Sequence, residues 1–575
     1  MGFPTFNNPF KRERQNFPGV VIPLSEAPLR SRSTSDSEKE KKDDSFIDHS
    51  KSLDRAPSSE TGSAGSIPES SHLTIEVLRA EIDAEAASSG QDSMYDRKAK
   101  VINRAIQDIG MGRYQWELFA LCGFGWTADN LWLQGVALTL TPIQYEFGLS
   151  ESEVRFTTCA LFLGLCIGAS FWGIASDIIG RRPAFNCTLF LAGVFGLASG
   201  GAPNWIGTCA LFACLGLGVG GNLPVDGATF LEFLPCESGN YLTMLSVFWP
   251  IGQLIGSLFA WAYIPLFTCD PTVETCTKEN NMGWRYLVLT LGAITFAMFC
   301  ARFFLFHLYE SPKYLLSRGR QDEAVASVHG IAYRNKAKTW LTTEILNEIG
   351  GIAETKEQEK LSVVEIIKRF LSKFSMERIG PLFANKRLGF TTVILWFCWA
   401  TIGMGYPLFN AFLPQYLGST SSSTYITYRN YAITSIVGVP GSILACYTVE
   451  IKYIGRKGTM AIATLITGIL LFCFTASTDS NVVLACTCLE AFFQNIMYGV
   501  LYAYTPEVFP APNRGTGTGI GSCLNRIAGL CAPLVAIYGG STSPTAPIYA
   551  SGALILASFV AMVFLPIETR GRQAL

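Results

Sequence analysis

Apolar residues recur in long runs along most of the chain, and polar residues separate the runs. Each run is about 20 residues long, which is the length that an α-helix needs to cross the hydrocarbon core of a bilayer. Six runs precede a polar block and six follow it. The pattern predicts an all-α membrane protein with twelve transmembrane helices, spans 1–12. Their predicted limits are 118–140, 154–176, 184–202, 205–231, 241–264, 284–308, 388–414, 428–449, 458–478, 481–505, 516–538 and 545–565.

Three stretches outside the two bundles, 114–308 and 388–566, differ in composition. Residues 1–113 are rich in Ser, Asp, Glu and Lys, as in SRSTSDSEKEKKDDS, and so little apolar surface predicts a disordered tail. Residues 309–387 form a polar linker, in which LSVVEIIKRFLSKF has the apolar spacing of one amphipathic helix. A short tail, 567–575, follows the second bundle.

Lys and Arg residues lie almost entirely on one side of the predicted membrane. They include Arg181 and Arg182 after span 2, and Arg456 and Lys457 after span 8. Because positively charged loops stay in the cytosol, we expect both termini and the linker there. The start of the chain lacks the pattern of a cleavable signal peptide. We expect the plasma membrane, with the vacuolar membrane as the alternative.

Composition agrees with a membrane protein. Only 15% of the residues are charged and the mean hydropathy is +0.29, whereas soluble proteins carry about 25% charged residues. The net charge of −1 gives no indication of a nucleic-acid partner, and we expect none. The expected partners of a monomeric chain are the bilayer, a small solute and protons. Cys269 and Cys276 share an outer loop and form the candidate disulfide, with a structural role.

The two bundles are copies of one unit. DIIGRRP after span 2 matches EIKYIGRKG after span 8, and EFLPCESGN after span 4 matches EVFPAPNRG after span 10. Gly180 and Gly455 differ by 275 positions, and so do Glu232 and Glu507. Two motif pairs with one offset indicate an internal repeat. Both copies begin and end on the same side, so the repeat is parallel.

These motifs carry a family resemblance over about residues 115–575. Gly173, Asp177, Gly180, Arg181 and Arg182 resemble the signature loop of the major facilitator superfamily. YESPKYLLSRGR and LPIETRGR resemble segments of its sugar porters. Span 1, with GFGWTADNLW, is closer to the niacin-transporter and synaptic-vesicle-protein-like branch and its fungal members. The resemblance implies two pseudo-symmetric six-helix bundles that work by alternating access.

The resemblance also implies a cytosolic gate of ion pairs that must break for inward opening. Carried over residue by residue, it comprises Asp177, Arg181, Arg182, Glu232, Arg456, Glu507 and Arg514. Two positions depart from the pattern: Gly239 is the repeat counterpart of Arg514, and Lys452 is that of Asp177. We therefore expect a gate that differs between the halves.

Four charged residues lie at bilayer depth, where a charge is costly and a functional role is the default hypothesis. They are candidates for proton coupling or solute binding: Asp129, Asp226, Glu490 and Arg526. Asp129 is the preferred coupling group, although Trp132 stands where relatives have a second Asp; a structural role is the alternative. Glu490 and Arg526 form either a buried pair or a site for a charged solute. Arg302 is expected to extend to the cytosolic surface.

Several other side chains are candidates for the solute cavity between the halves: Trp126, Trp132, Gln253, Trp396, Asn410 and Asn495. Gln253 resembles the span-5 glutamine that binds sugar in sugar porters, but span 7 lacks their paired glutamines, which counts against a hexose. Packing is the alternative role for the aromatic residues.

The sequence carries no G-x-S-x-G, P-loop or H-E-x-x-H motif, so no catalytic residue, metal or cofactor is predicted. We expect a secondary transporter, with proton symport favoured over uniport. Its solute is an organic acid, a vitamin-like heterocycle or a sugar-like metabolite. The alternatives are a metabolite exporter, a non-transporting nutrient sensor on the same scaffold and, more remotely, a membrane enzyme.

Overall fold

The computed structural model consists of helices joined by short loops. It describes residues 17–27, 73–89, 94–235, 240–270, 275–351, 379–383, 385–420, 423–449, 451, 454–477, 479–509, 514–540, 543 and 545–569. Twelve long helical segments follow the twelve apolar runs, so the prediction of a twelve-span all-α membrane protein is confirmed. Among the described residues, ten of these segments are long and apolar enough to cross a membrane, by length and composition alone. Spans 1 and 3, which are richer in polar residues, complete the set.

The spans of the first half begin with a helix of 35 residues and include two interrupted helices. They are span 1, Arg113–Phe147; span 2, Phe156–Ile179; span 3, Arg181–Ser199; span 4, Trp205–Val219 and Asn222–Phe233; span 5, Phe248–Phe267; and span 6, Gly283–Cys300 with a π-helical turn at Ala301–Leu305. A short helix, Asn240–Leu245, precedes span 5.

The second half repeats this order. Its spans are span 7, Lys386–Asn410; span 8, Thr424–Thr448; span 9, Gly455–Ala476; span 10, Ser480–Val508; span 11, Arg514–Gly540; and span 12, Ala546–Val563. A short helix, Leu413–Thr420, follows span 7.

Helix packing follows the internal repeat. In the first half span 1 packs on span 5, span 2 on span 4, and span 3 on spans 4 and 6. In the second half span 7 packs on span 11, span 8 on span 10, and span 9 on spans 10 and 12. The two halves meet where span 5 contacts span 8 and where span 11 contacts span 2. Span 11 is the repeat counterpart of span 5, and span 2 is that of span 8. The two contacts between the halves are therefore equivalent, as a parallel repeat requires.

Glycine lets the spans approach closely. A Cβ atom on Gly252 of span 5 would overlap the Thr127 carbonyl of span 1, and one on Gly216 of span 4 would overlap the Leu161 carbonyl of span 2. Close backbone approach of this kind is typical of membrane helices, because they gain little from burying apolar surface that lipid already covers.

Part of the predicted disordered tail is helical. Residues Ile75–Ser89 (α1) and Met94–Ile109 (α2) pack on three linker helices, Pro312–Ser317 (α3), Gln321–Arg334 (α4) and Thr343–Gly350 (α5). The prediction of disorder is therefore wrong for residues 75–89 and 94–109. It failed because α2 concentrates its few apolar residues on one face, where the average composition does not reveal them.

The buried face of α2 consists of Val101, Ile102, Ala105 and Ile106, which pack with Trp340 and Leu346 of the linker. A tail segment that precedes α1 in the chain also contacts the linker, through an isolated parallel β-bridge between Val21 and Thr339. The Thr339 N–H donates to Val20 at 2.9 Å and the Ile22 N–H donates to Thr339 at 3.0 Å. The amphipathic helix predicted at LSVVEIIKRFLSKF lies outside the described residues.

Two faces of the bundle are named from this arrangement. The tail face is the one on which α1–α5 lie and from which span 1 starts. The far face is the one at which span 1 ends. A disulfide joins Cys269 and Cys276 in the far-face loop between spans 5 and 6.

Candidate solute site between the two halves

Asp129, the single charge in the first apolar run, is paired across the interface between the halves. Its side chain is 1% exposed. The Trp249 indole of span 5 donates to one carboxylate oxygen at 3.0 Å, and the Arg526 guanidinium of span 11 lies 3.4 Å from the other. Of the two roles left open for Arg526, a buried pair is therefore found, but with Asp129 and not with Glu490.

Aromatic rings surround this ion pair. The Trp249 ring lies 5.4 Å from that of Tyr406 and 5.3 Å from that of Tyr498, between centroids. Trp126 lies 5.3 Å from Tyr502 in the same way. A cavity of about 10 Å³ remains here, roughly the volume that one water molecule needs. Its lining is Trp126, Ser246, Trp249, Ser442, Asn495, Tyr498, Gly499 and Tyr502. This cavity is too small to hold an organic solute.

Buried amides and hydroxyls form a polar layer between Asp129 and the far face. The Gln134 amide of span 1 donates to the Tyr406 hydroxyl at 2.6 Å, and the Tyr431 hydroxyl donates to the Gln134 carbonyl. Asn130 donates to the Trp249 carbonyl at 3.0 Å. Sequence analysis missed Asn130 and Gln134, although their one-turn spacing next to Asp129 in an apolar run was the available signal.

Glu490 lies beside this layer in span 10 and is not paired. It is 1% exposed, and neither carboxylate oxygen has a hydrogen-bond partner among the described residues. The Asn410 amide of span 7 is close to it but donates to Gln494 at 3.1 Å. Asn410 therefore joins span 7 to span 10 beside Glu490.

Asp226 belongs to a different ion pair, inside the first half. Its carboxylate lies 2.6 Å from the Arg302 guanidinium, and both side chains are completely buried. Arg302 also donates to the carbonyls of Leu121 and Phe185 at 2.6 and 2.7 Å. The prediction that Arg302 extends to the surface is wrong, because three acceptors satisfy it in the interior. A Cβ on Gly125 would overlap Asp226, so this glycine gives the pair its space.

The remaining cavity candidates fall into two groups. Trp126 and Asn495 line the cavity, whereas Gln253 lies beside the Tyr431 hydroxyl of the polar layer. Trp132 instead donates to Thr295 at 2.9 Å within the first half. Trp396 donates to the Gly517 carbonyl at 3.0 Å and packs on Phe383. The two latter indoles have packing roles because each finds an acceptor away from the interface.

The predicted gate residues of the first half cluster on the tail face. Arg181 lies 2.9 Å from Asp177 and 3.1 Å from Glu232. Its backbone N–H donates to Glu310 at 2.8 Å, and the same carboxylate oxygen accepts from Arg182 at 3.5 Å. Gly180 precedes them with φ +106°, which other residues rarely adopt.

The second half repeats the cluster. Arg456 forms an ion pair with Glu507, and the N–H groups of Arg456 and Lys457 donate to Glu568 at 3.0 and 3.1 Å. Gly455 precedes them with φ +61°. Arg514 begins span 11, and its side chain lies outside the described part of the chain.

Glu310 and Glu568, in the motifs YESPKYLL and LPIETRGR, were not predicted as site residues. Each places its carboxylate at the N-terminus of a span, where N–H groups and the helix dipole favour negative charge. Each of these described pairs joins residues of one half. These pairs brace each half internally.

The halves are bonded directly on the far face. The Arg155 guanidinium, at the start of span 2, donates to the Ala536 carbonyl of span 11 at 2.8 Å and to Gln415 at 3.3 Å, and lies 5.1 Å from the centre of the Phe412 ring. We call these four residues the far-face latch. The Tyr428 hydroxyl of span 8 also donates to the Leu138 carbonyl of span 1 at 2.8 Å. Sequence analysis did not single out Arg155.

The fold and the repeated clusters are those of a transporter. A model of the Major Facilitator Superfamily matches residues 118–451 and 430–575, so the chain belongs to this superfamily. It is a multi-pass membrane transporter of small solutes. Within the described residues, no group of three or more His, Cys, Asp or Glu side chains is placed to hold a metal ion.

Curated relatives match over most of their length. The chain is 45% identical over 489 residues to "MFS siderochrome iron transporter 1" of Ceriporiopsis subvermispora, covering 84% of this chain and 93% of the relative. It is 41% identical over 515 residues to "Major facilitator-type transporter hxnZ" of Emericella nidulans, covering 87% and 92%. It is 28% identical over 513 residues to "Organic cation/carnitine transporter 7" of Arabidopsis thaliana, covering 82% and 95%.

A solved structure confirms the fold. The proton:xylose symporter XylE, from E. coli, bound to 6-bromo-6-deoxy-D-glucose, superposes with a TM-score of 0.60 at 18% identity. The match covers 80% of this chain and 98% of the symporter.

Proposed function

We propose that this protein moves a small organic solute across a membrane by alternating access, coupled to protons, with its solute site at the Asp129–Arg526 pair. The observation that carries the proposal is this ion pair, which joins spans 1 and 11 across the interface in a ring of aromatic side chains. Parting of the halves would separate the two charges at a depth where unpaired charges are costly. A solute that carries both a cationic and an anionic group can then pair with Asp129 and Arg526 in place of the partner that each has lost.

The chemistry of the site favours a charged solute with a planar ring. Arg526 offers a flat, bidentate donor for a carboxylate, and Trp126 and Trp249 offer faces on which a ring can stack. The polar layer adds amide groups for hydrogen bonds. An organic acid or a charged heterocycle fits these groups better than a hexose. The relatives named for a siderochrome and for organic cations and carnitine provide the first other solutes to test.

Alternating access is supported by the direct bonds between the halves at the far face, which must break for the site to open there. The far-face latch bonds one half to the other, while the tail-face clusters lie within each half. We propose that the tail face is cytosolic, because the Lys and Arg residues of the loops lie there. The proposed home is the plasma membrane, with the vacuolar membrane as the alternative. Release of the tail face then opens the site inward.

The test is an uptake and efflux screen of metabolites in transporter-poor cells at two external pH values. It compares the wild type with Asp129→Asn, which removes the charge opposite Arg526. Glu117→Gln is the matched control, since Glu117 lies on the same span but near the tail face, paired with Arg113 and Arg334. All variants are normalised to surface expression. We expect a solute that moves with the wild type and the control but not with Asp129→Asn; equal movement with Asp129→Asn would refute the proposed site.

The docked tail favours a second candidate, a nutrient sensor on the same scaffold. Helices α1 and α2 pack on the linker and extend from the tail face, where a signalling partner has access to them. A sensor would bind solute without moving it. Solute binding to the purified protein, with no flux of that solute in reconstituted vesicles, would establish the sensor and exclude the transporter.

A further inference from the structure

We propose that Glu490 is the group that binds the coupling proton, and that Asp129 does not carry it. The proposal rests on the proposed function, since a coupling proton requires a transported solute. It differs from the expectation from sequence, in which Asp129 was the preferred coupling group. The geometry separates the roles: Asp129 is bonded to Arg526 and Trp249, whereas Glu490 is equally buried and has no hydrogen-bond partner among the described residues.

Among the described residues, no positive charge faces Glu490 from the elements packed around it. The titratable groups that face it are the hydroxyls of Tyr406 in span 7 and Tyr431 in span 8, and that of Tyr498 on its own helix. Asn410 and Gln494 are neutral and bonded to each other.

Charged groups on the neighbouring helices are engaged elsewhere. In span 11, Arg526 is paired with Asp129. In span 8, Arg429 lies nearer the far face and donates to Asn430. Span 9 carries Arg456 and Lys457 at its tail-face end, where the Arg456 guanidinium pairs with Glu507 and the backbone N–H groups of both residues donate to Glu568. The short helix Asn240–Leu245 contributes only Tyr241 as a titratable group.

An ionised carboxylate in such a place is shielded from bulk solvent and has no counter-ion among the described residues. The closed structure therefore suits the neutral, protonated form of Glu490. Proton binding is the reversible addition of one H⁺ to the carboxylate from water at an open face. It needs no other reactant.

The polar layer links this proton to the movement of the halves. Tyr406 and Tyr431 stand next to Glu490, and both bond to Gln134 of the first half. When the halves part on the far face, these two bonds break and water reaches the carboxyl group. A water-exposed carboxylate can ionise, while reclosure requires the proton to be bound. Protonation of Glu490 thus favours the closed state, because a ligand shifts the equilibrium towards the state that binds it better.

The test measures the proton directly and needs no solute. Infrared difference spectra are recorded for the purified full-length protein in lipid bilayers as the pH is raised. The signal is the carbonyl-stretch band of a neutral carboxyl group. We expect the wild type and Asp129→Asn to lose the same band with rising pH, and Glu490→Gln to lack it. Glu490→Asp keeps a carboxyl group and should show the band at a shifted frequency, which assigns the band to this side chain.

The outcomes separate the two proposals. If Glu490→Gln retains the wild-type band, or if Asp129→Asn loses it, Glu490 is not the proton site, whatever the flux assay shows. If the wild type has no titrating band, the proposal also fails. If the band behaves as expected but no solute moves in the metabolite screen, proton binding at Glu490 stands and the transport function fails.

Discussion

The far-face latch makes a quantitative prediction for Arg155→Met. Methionine keeps most of the length and packing of the side chain but removes the guanidinium. The variant loses the bond to the buried Ala536 carbonyl, the longer bond to Gln415 and the contact with the Phe412 ring. The ion pair of Arg155 with Glu151 lies within the first half, and it does not count towards the bonding between the halves.

The expected magnitude follows from these three contacts. A hydrogen bond from a charged group contributes about 1.5–3 kcal/mol and an ordinary one about 1 kcal/mol. A cation–π contact adds roughly 0.5–1 kcal/mol. A total of about 3 kcal/mol changes the ratio of closed to open far face by about a hundredfold, since each 1.4 kcal/mol is tenfold.

Native cysteines provide the assay. Cys159 lies on span 2 and Cys531 on span 11, the two spans that pack together where the halves meet, and each is about one helical turn deeper than the latch residue of its span. The rate at which a membrane-impermeant thiol reagent modifies them from the far face reports how often that face opens. Cys159→Ser with Cys531→Ser gives the background rate. We expect Arg155→Met to raise the specific rate by one to two orders of magnitude, in line with about 3 kcal/mol.

The matched control is Arg113→Met, which removes an arginine from an exposed ion pair with Glu117 on the tail face. It should leave the rate unchanged. An unchanged rate in Arg155→Met, with both thiols fully reactive after denaturation, would refute the reasoning that Arg155 holds the far face closed.

Two further predictions concern stability. Asp226→Asn should lower the apparent Tm in detergent, because a buried Arg302 without its partner costs roughly 3–5 kcal/mol; the double variant with Arg302→Met should recover part of the loss, and a double variant no better than the single one would contradict the pairing. Burial lowers the pKa of Lys98, whose ammonium group donates to Gln321 and Asn347. The folded state then binds this proton less well than the unfolded state, so tail docking should strengthen as pH rises from that lowered pKa towards the ordinary value of 10.5. The assay is protection of the tail from protease as a function of pH. The increase in protection with pH should be absent in Lys98→Met and present in Lys100→Met.

The large features of the fold were predictable because they rest on local patterns. Apolar runs of membrane length gave the spans, and the common offset of Gly180 and Glu232 to their counterparts gave the repeat. Asp129 stood out because it is a charge in an apolar run. These signals depend only on residues near one another in sequence or on exact spacing.

Partnerships across the interface were not predictable in the same way. Arg526 lies 397 positions from Asp129, and nothing local distinguishes a partner of Asp129 from one of Glu490. Asn130 and Gln134 carry no charge, so their burial gives a weak signal in sequence. Arg302 was misplaced because its proximity to a helix end suggested the surface, while its acceptors in spans 1, 3 and 4 come together only in the fold.

The linker helices are attached to one side of the molecule. Tyr314 of α3 donates to the Ile178 carbonyl at 2.8 Å, Arg334 of α4 pairs with Glu117, and Asn335 accepts from the Tyr114 N–H at 2.8 Å. All three partners belong to the first half. Helices α1–α5 are therefore attached to the first half and should move with it. Under the proposed alternating access, a fluorophore on α1 and another on the tail-face end of span 9 would change separation as the halves move, giving a distance sensor that leaves the proposed solute site unlabelled.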